Sequence, residues 1–423
     1  MNKTAIAVLT GLLALSAQAE NLAVVGGYVH TLSEQGSLEN ATVLIKEGRI
    51  QSVGQNLPVP SGYRVIDASG KIVTPGLIGA YTSLGLVEVG SSAGTVDASY
   101  KPRDYSPAGA ALDVSYAINP DSTLLPVSRI EGFTLAATGM ANTQTLFKGR
   151  GAVISLGDGD KLIKPGAFMT VSVDNHGADD MGGSRAALWP ELENAVQEAR
   201  SRKGKPLSAA EEWHGSLSKA DVNALLAVVS GDMPLIMDAR RLADIRQVLA
   251  FKARYPDIRV VLLKATEGWR IAAEIAEAGI PVILDPEPNL PYSFDQLGAT
   301  LANAGRLSEA GVAVSIGVET HNLRLATQHA GNAVANGLPW QDGLAALTIN
   351  NARLFGIDKE YGSLEAGKVA DLVVWSGDPL EVMVAPEHVV IQGEEIVLES
   401  RQTKLRDRYL ELDQDKPMSY VRP

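Results

Sequence analysis

The chain has 423 residues, 45% of them hydrophobic and 20% charged, with a formal net charge of −12. That length and apolar content allow a large core without crosslinks, and 0 Cys excludes a disulfide scaffold. The acidic balance, with no Lys/Arg cluster, argues against nucleic acid and anionic membrane surfaces as partners.

Residues 1–19 read as an export signal: Lys3 supplies the positive end, 5–15 the apolar run, and Ala17-Gln18-Ala19 a small-x-small cleavage site before Glu20. The run is too short to cross a bilayer, which takes about 20 apolar residues. No later segment is apolar enough to span either. A periplasmic location is expected, in which the oxidising compartment is tolerated but not used for crosslinks.

Residues 20–70 alternate short β-prone runs (22–30, 41–46, 49–53 and 63–66) with turns at Glu47-Gly48 and Ala68-Ser69-Gly70, which predicts a small antiparallel sheet. The same texture returns at 368–377, 388–393 and 395–398. Segments 20–70 and 357–423 are therefore expected to form one β-sandwich-like domain from both termini.

The middle, 71–356, alternates apolar strands at 234–238, 259–264, 281–285 and 312–317 with helical patterns such as 242–255 and 269–278. Strands that are apolar throughout, alternating with helices, predict a parallel sheet covered on both faces, and the length suits a (β/α)8 barrel of about 250 residues. An open doubly wound sheet is the alternative, but no Gly-rich fingerprint follows an early strand. Residues 90–217 are less readable, and 91–97 and 174–184 look like long loops.

One run carries more than architecture: Lys71-Ile72-Val73-Thr74-Pro75-Gly76-Leu77-Ile78-Gly79-Ala80-Tyr81-Thr82-Ser83. It resembles the opening of the first barrel strand in the amidohydrolase superfamily, where a His-x-His pair binds a divalent metal; here Tyr81 and Ser83 stand in those places. Segments 345–356 and 361–374 resemble the family's last helix and its return into the sheet domain. Asn119-Pro120-Asp121-Ser122-Thr123 and Glu131-Gly132-Phe133-Thr134 resemble the second-strand approach of imidazolonepropionase-like members.

The resemblance implies hydrolysis of a C–N bond in a cyclic amide, dipeptide or amidine, by a metal that lowers the pKa of bound water. It also implies His ligands on strands 1, 5 and 6 and an Asp on strand 8. Carried over by position, those places hold Tyr81 and Ser83, then Asp238, Lys264 and Glu319. A bridging ligand is not identified. An ammonium flanked by two carboxylates meets the electrostatic demand that a metal would otherwise meet, so Asp238, Lys264 and Glu319 are expected to form a charge cluster with no cofactor.

In a catalytic version of this cluster Lys264 is electrophile or base and Glu319 moves the proton. Tyr81, Ser83 and His321 are the candidate substrate-binding residues. His321 is the one His of 6 expected to face the barrel mouth; His30 and His388 fall in sheet ends, His176 in a loop, His214 beside Trp213 and His329 in a helix. Glu88, Asp97 and Arg103, in loops after strand 1, are further candidates for a pocket wall.

The leading expectation is a superfamily member with a degenerate site, either non-catalytic or using metal-free chemistry. One alternative is a hydrolase holding one divalent metal such as Zn on Asp238, Glu319 and His321. Another is a binding protein for a small molecule, as a homo-oligomer or paired with an active homologue.

Overall fold

The computed structural model describes residues 20–88, 96–318 and 323–410. The expected export signal, Glu319 and His321 lie outside the described residues.

Two sheets of eight strands each dominate the fold. The first opens with β1 (Leu22–His30), β2 (Ser37–Lys46), β3 (Arg49–Gln55), β4 (Arg64–Asp67) and β5 (Ile72–Pro75). After the single residue Gly76 the chain enters the barrel through β6 (Leu77–Thr82). The small strands β7 (Ser99–Tyr100) and β9 (Asn142–Thr143) pair with each other and flank β8 (Phe133–Thr138) in sequence. The barrel continues through β10 (Phe147–Ser155), β11 (Leu162–Ser172), β12 (Leu235–Ala239), β13 (Val260–Lys264), β14 (Val282–Ile283) and β15 (Val314–Ser315). The chain then returns to the first sheet as β16 (Leu372–Trp375), β17 (Pro386–Ile391) and β18 (Glu394–Glu395).

The terminal sheet is mixed, which corrects the antiparallel expectation. Strand β1 pairs antiparallel with β2 but parallel with both β4 and β5. It accommodates two neighbours on one edge by bending at Gly26, whose φ of +81° is open to glycine at little cost. The next residue, Gly27, has Val73 so close that an added Cβ would lie 2.7 Å from its Cγ2.

Strand alternation joins the two units. In β16, Leu372 and Val374 enter the sheet's own core with Val24, Val43 and Ile66, while Val373 and Trp375 enter the large core around the barrel. Trp375, 1% exposed, donates its Nε1 hydrogen to Thr74 Oγ1 at 2.9 Å.

The barrel strands run in the order β6-β8-β10-β11-β12-β13-β14-β15. The ring closes where Ala80 N and Tyr81 N donate to Gly317 O and Tyr81 pairs parallel with Val318. Ile78, Ala80, Leu135, Ala137, Phe168, Ile236, Val261, Leu263 and Ile283 fill its interior, and the alternate positions Met169, Val171, Met237 and Leu262 face the helices.

One feature departs from the expected (β/α)8 pattern: β10 runs antiparallel to both β8 and β11. No helix covers the short connections from β8 to β10 and from β10 to β11, so 133–172 lacks a strand–helix rhythm. Gly151 lets Phe168 cross β10, since a Cβ there would meet the ring at 2.1 Å. Because β10 is reversed, its first residues lie at the end of the barrel where the parallel strands finish. Segment 174–184 is also not a long loop: Asp174 caps the helix Asn175–Asp180 and Ser184 caps the helix Arg185–Ser201.

Candidate functional site

A cleft of ≈ 670 Å³ opens at the carboxyl ends of the parallel strands, the end at which loops of such barrels build sites. Its rim comes from β7 and β9, with Tyr100, Lys101, Asn142 and Gln144. Deeper in, β11 supplies Ser172, β12 supplies Asp238 and, two residues on, Arg240, β13 supplies Lys264, and reversed β10 supplies Lys148. His176, Asp179 and Asp180 line it from the helix that Asp174 caps.

The sequence places Asp238 and Lys264 at neighbouring strand ends, and the structure brings them together: Lys264 Nζ donates to Asp238 Oδ2 at 2.7 Å. Regular strand geometry would not do this. Ala239 is the partner of Lys264 in the ladder, and both positions alternate with interior-facing Asp238 and Leu263. Lys264 instead has φ +70° and Ala265 φ +40°, two successive non-glycine residues in the left-handed region. Each such residue costs on the order of 1–3 kcal/mol and persists only where its surroundings hold it.

The surroundings here do so. Ala265 N donates to Ala239 O at 3.0 Å, Glu267 N to Arg240 O at 2.9 Å, and Asn303 Nδ2 to Ala265 O at 3.0 Å. Glu267, 5% exposed, accepts from Leu242 N at 2.8 Å and Gly298 N at 2.7 Å, which straps together the loops after β12, β13 and β14.

Arg240 extends the cluster. Its Nε lies 3.3 Å from Asp174 Oδ2 and 3.9 Å from Asp238 Oδ1. Asp174 uses its other oxygen to accept from His176 N at 3.0 Å and Gly177 N at 3.2 Å. Burial alone would raise the Asp238 carboxyl, but the charges of Lys264, Lys148 and Arg240 outweigh it and hold Asp238 below the ordinary carboxylate range. Asp174 goes the other way: burial first, then the charge of Asp238, push it upward against Arg240 and the Gly177 amide. The two neighbouring carboxyl groups are thus displaced in opposite directions by their surroundings.

Buried polar atoms concentrate at this spot: Asp174 Oδ2, Asp238 Oδ1 and Arg240 Nε meet only as ion pairs, without a well-formed hydrogen bond, and Ser172 Oγ completes none within the protein. Buried polar groups are ordinarily paired, so such a concentration marks a place where a polar ligand is accommodated.

The remaining sequence candidates sit differently. Tyr81 packs its ring 5.8 Å from that of Phe168, and burial raises its phenol to about 12, so it stays neutral. Ser83 is 2% exposed, with Oγ 3.4 Å from Gly139 O. Neither lines the cleft. Glu88, Asp97 and Arg103 do not line it either; Glu88 accepts from Asn119 Nδ2 and Thr123 N. The expectation that His321 alone of the histidines faces the barrel mouth needs correction, because His176 lines the cleft.

Arg240, Asp174, Lys148 and His176 were not singled out from sequence. Arg240 lay two residues past Asp238, the strand period, and Asp174 stood as an N-cap ahead of a helix; both signals were available. Lys148 had none, because its place depends on the reversal of β10.

Among the described residues no three His, Cys, Asp or Glu side chains converge. Asp238 is already engaged by Lys264, and a further dication would face Lys264, Arg240 and Lys148 at close quarters.

A closed barrel with a charged cleft at its mouth and a composite sheet from both termini is an amidohydrolase-type architecture, and three comparisons agree with it. The Amidohydrolase family profile matches residues 253–397. The imidazolonepropionase of Anaeromyxobacter sp. (strain K) is 26% identical over 381 residues, covering 82% of this chain and 87% of that protein. The solved structure of an amidohydrolase from Thermotoga maritima MSB8 superposes with a TM-score of 0.76 at 23% identity, covering 89% of this chain and 99% of that one. A Xaa-Pro dipeptidase crystallised with methionine in its active site shares the fold more distantly, with a TM-score of 0.55 at 15% identity over 89% of this chain and 99% of that one. The chain thus carries a match to the Amidohydrolase family over residues 253–397, is similar to imidazolonepropionases along most of its length, and shares the fold of solved amidohydrolases.

Proposed function

We propose that this protein is an exported superfamily member that has exchanged its metal centre for a fixed charge cluster and binds a small anionic molecule in the cleft at the barrel mouth. The observation that carries this reading is the Lys264–Asp238 pair, joined by Arg240 and Lys148 around the same carboxylate. Lys264, Arg240 and Lys148 surround the single Asp238 carboxylate at the strand ends, while Asp179 and Asp180 lie on the helix wall, so the positive excess is local to the strand ends within an acidic protein. A carboxylate-bearing ligand answers that excess and gives the Ser172 hydroxyl, which completes no hydrogen bond within the protein, a partner.

The test combines metal content with binding. The protein, purified without chelator and then incubated with Zn, Mn or Ni, is expected to retain far less than one metal per chain by elemental mass spectrometry. Imidazolonepropionate and Xaa-Pro dipeptides, the substrates named for its relatives, are expected to go unhydrolysed, while carboxylates such as propionate raise the melting temperature. About one retained metal per chain with hydrolysis would overturn the reading in favour of a ligand set that includes Glu319 and His321. The export part rests on Lys3, the apolar run 5–15 and Ala17-Gln18-Ala19. Recovery of a shortened chain in the periplasmic fraction is the expected result there.

A further inference from the structure

We infer that Lys264 is a carbonyl-capturing amine: it forms a reversible imine with a small ligand that carries both a carboxylate and an aldehyde or ketone. This rests on the anion-binding reading of the same cleft, and goes beyond it to an activity.

A cation needed only to neutralise Asp238 is already present in Arg240, 3.9 Å from Oδ1, and in Lys148 nearby. Lys264 is nevertheless carried from the helix-facing side of β13 to the barrel mouth by two consecutive left-handed residues. That turn is held by Ala239 O, Arg240 O, Asn303 and the Glu267 strap. Backbone strain of this kind, fixed by so many partners, is characteristic of side chains placed for chemistry. The side chain is 28% exposed and lines the cleft, so its amine can be reached.

The neighbours supply what imine formation needs. The amine becomes a nucleophile when Nζ gives up a proton to water in the cleft, with Asp238 staying ionised as the 2.7 Å acceptor that orients a remaining N–H. The nitrogen lone pair then forms a bond to the carbonyl carbon, the C=O electron pair moves to oxygen, and a proton passes from the now cationic nitrogen to that oxygen through water to give a neutral carbinolamine. Loss of that hydroxyl as water, with a proton from a neighbouring acid, leaves a protonated C=N bond on Lys264. Overall an ammonium and a carbonyl compound give an iminium and one water, with no oxidant or reductant consumed. His176 and Asp180, both on the cleft wall, are the groups placed to return protons. Lys148 and Arg240 are the cations left to hold the ligand carboxylate.

Pyruvate is the probe, with cyanoborohydride to convert any imine into a stable secondary amine by hydride addition to carbon. Intact mass is expected to rise by one reduced pyruvyl group, and peptide mapping to place it on Lys264. K264R keeps the positive charge but removes the nucleophile and is expected to lose the adduct, whereas K205R, on the exposed surface outside the cleft, retains it. No adduct, or adducts spread over surface lysines, would overturn the inference. Propionate binds without forming an imine and keeps the two readings apart. A propionate-induced rise in melting temperature without pyruvate trapping leaves the anion site standing and sinks the imine, while failure of both removes the reading beneath it.

Discussion

Lys264 reaches Asp238, not its ladder partner Ala239, and the 2.7 Å contact that results crosses from one face of the barrel sheet to the other. The pair is therefore a product of the left-handed turn at Lys264 and Ala265, and its removal tests how much the cluster contributes to stability.

Replacing Lys264 with Met leaves Asp238, 3% exposed, with Arg240 and Lys148 as its remaining counter-charges. Breaking a buried pair costs about 3–5 kcal/mol. The residual cations and the partial exposure of Lys264 put K264M near the lower end, at about 3 kcal/mol. Urea denaturation of K264M, D238N and the double variant checks this: the double variant is expected to be more stable than the sum of the two single losses predicts. Strict additivity would show that the pair is energetically idle.

How far the sequence foretold this cluster differs residue by residue. The run from Lys71 to Ser83, and the return at 361–374, fixed the barrel and the sheet built from both ends, because both depend on local turn chemistry and apolar runs. Asp238 and Lys264 were legible only through position in the superfamily pattern. Strand alternation alone would have turned Lys264 outward with Leu262. Asp174 was hidden in a Gly- and Asp-rich stretch that reads as loop until the helix it caps is recognised. Lys148 was not legible, since the direction of β10 is decided by tertiary pairing with β8 and β11, which leaves no periodic trace.

Asp174 has two separable roles, one for each oxygen. Oδ1 caps the helix Asn175–Asp180, and Oδ2 faces Arg240. Asn keeps the cap, so D174N is expected to lose less than about 1 kcal/mol, and D174A, which removes both, about 2 kcal/mol. Thermal melts of the two variants decide it. Equal losses would mean that the charge facing Arg240, not the cap, is the contribution that matters.

Asp371, at the junction of sheet and barrel, provides a pH dependence of known sign. It accepts from Gln392 N at 2.8 Å, but burial raises its carboxyl from 3.8 to about 6. The folded chain then holds a proton that the unfolded chain has lost. The stability this group contributes is complete below pH 3.8, falls as pH rises, and is gone above about 6. A displacement of about two units corresponds to at most about 3 kcal/mol. D371N is expected to match the wild type near pH 4 and to exceed it at pH 8, by denaturant unfolding at each pH. A variant no more stable than wild type at pH 8 would show that the folded chain compensates the ionised carboxylate.

Gly132 ties the same junction together from the barrel side. It precedes β8 with φ +90°, and a Cβ there would lie 2.6 Å from Trp375 Cη2 and 2.9 Å from its Cζ2. Trp375 cannot swing away without losing its hydrogen bond to Thr74 and its place in the large core. G132A therefore combines left-handed strain of on the order of 1–3 kcal/mol with overpacking of similar size. A loss of about 3 kcal/mol is expected, together with a red shift of the Trp375 emission as the indole gains exposure. W375F in the same background should recover part of the loss, because the smaller ring vacates the space that the new methyl group needs. No recovery would place the cost in the backbone at residue 132 rather than in its contact with the sheet domain.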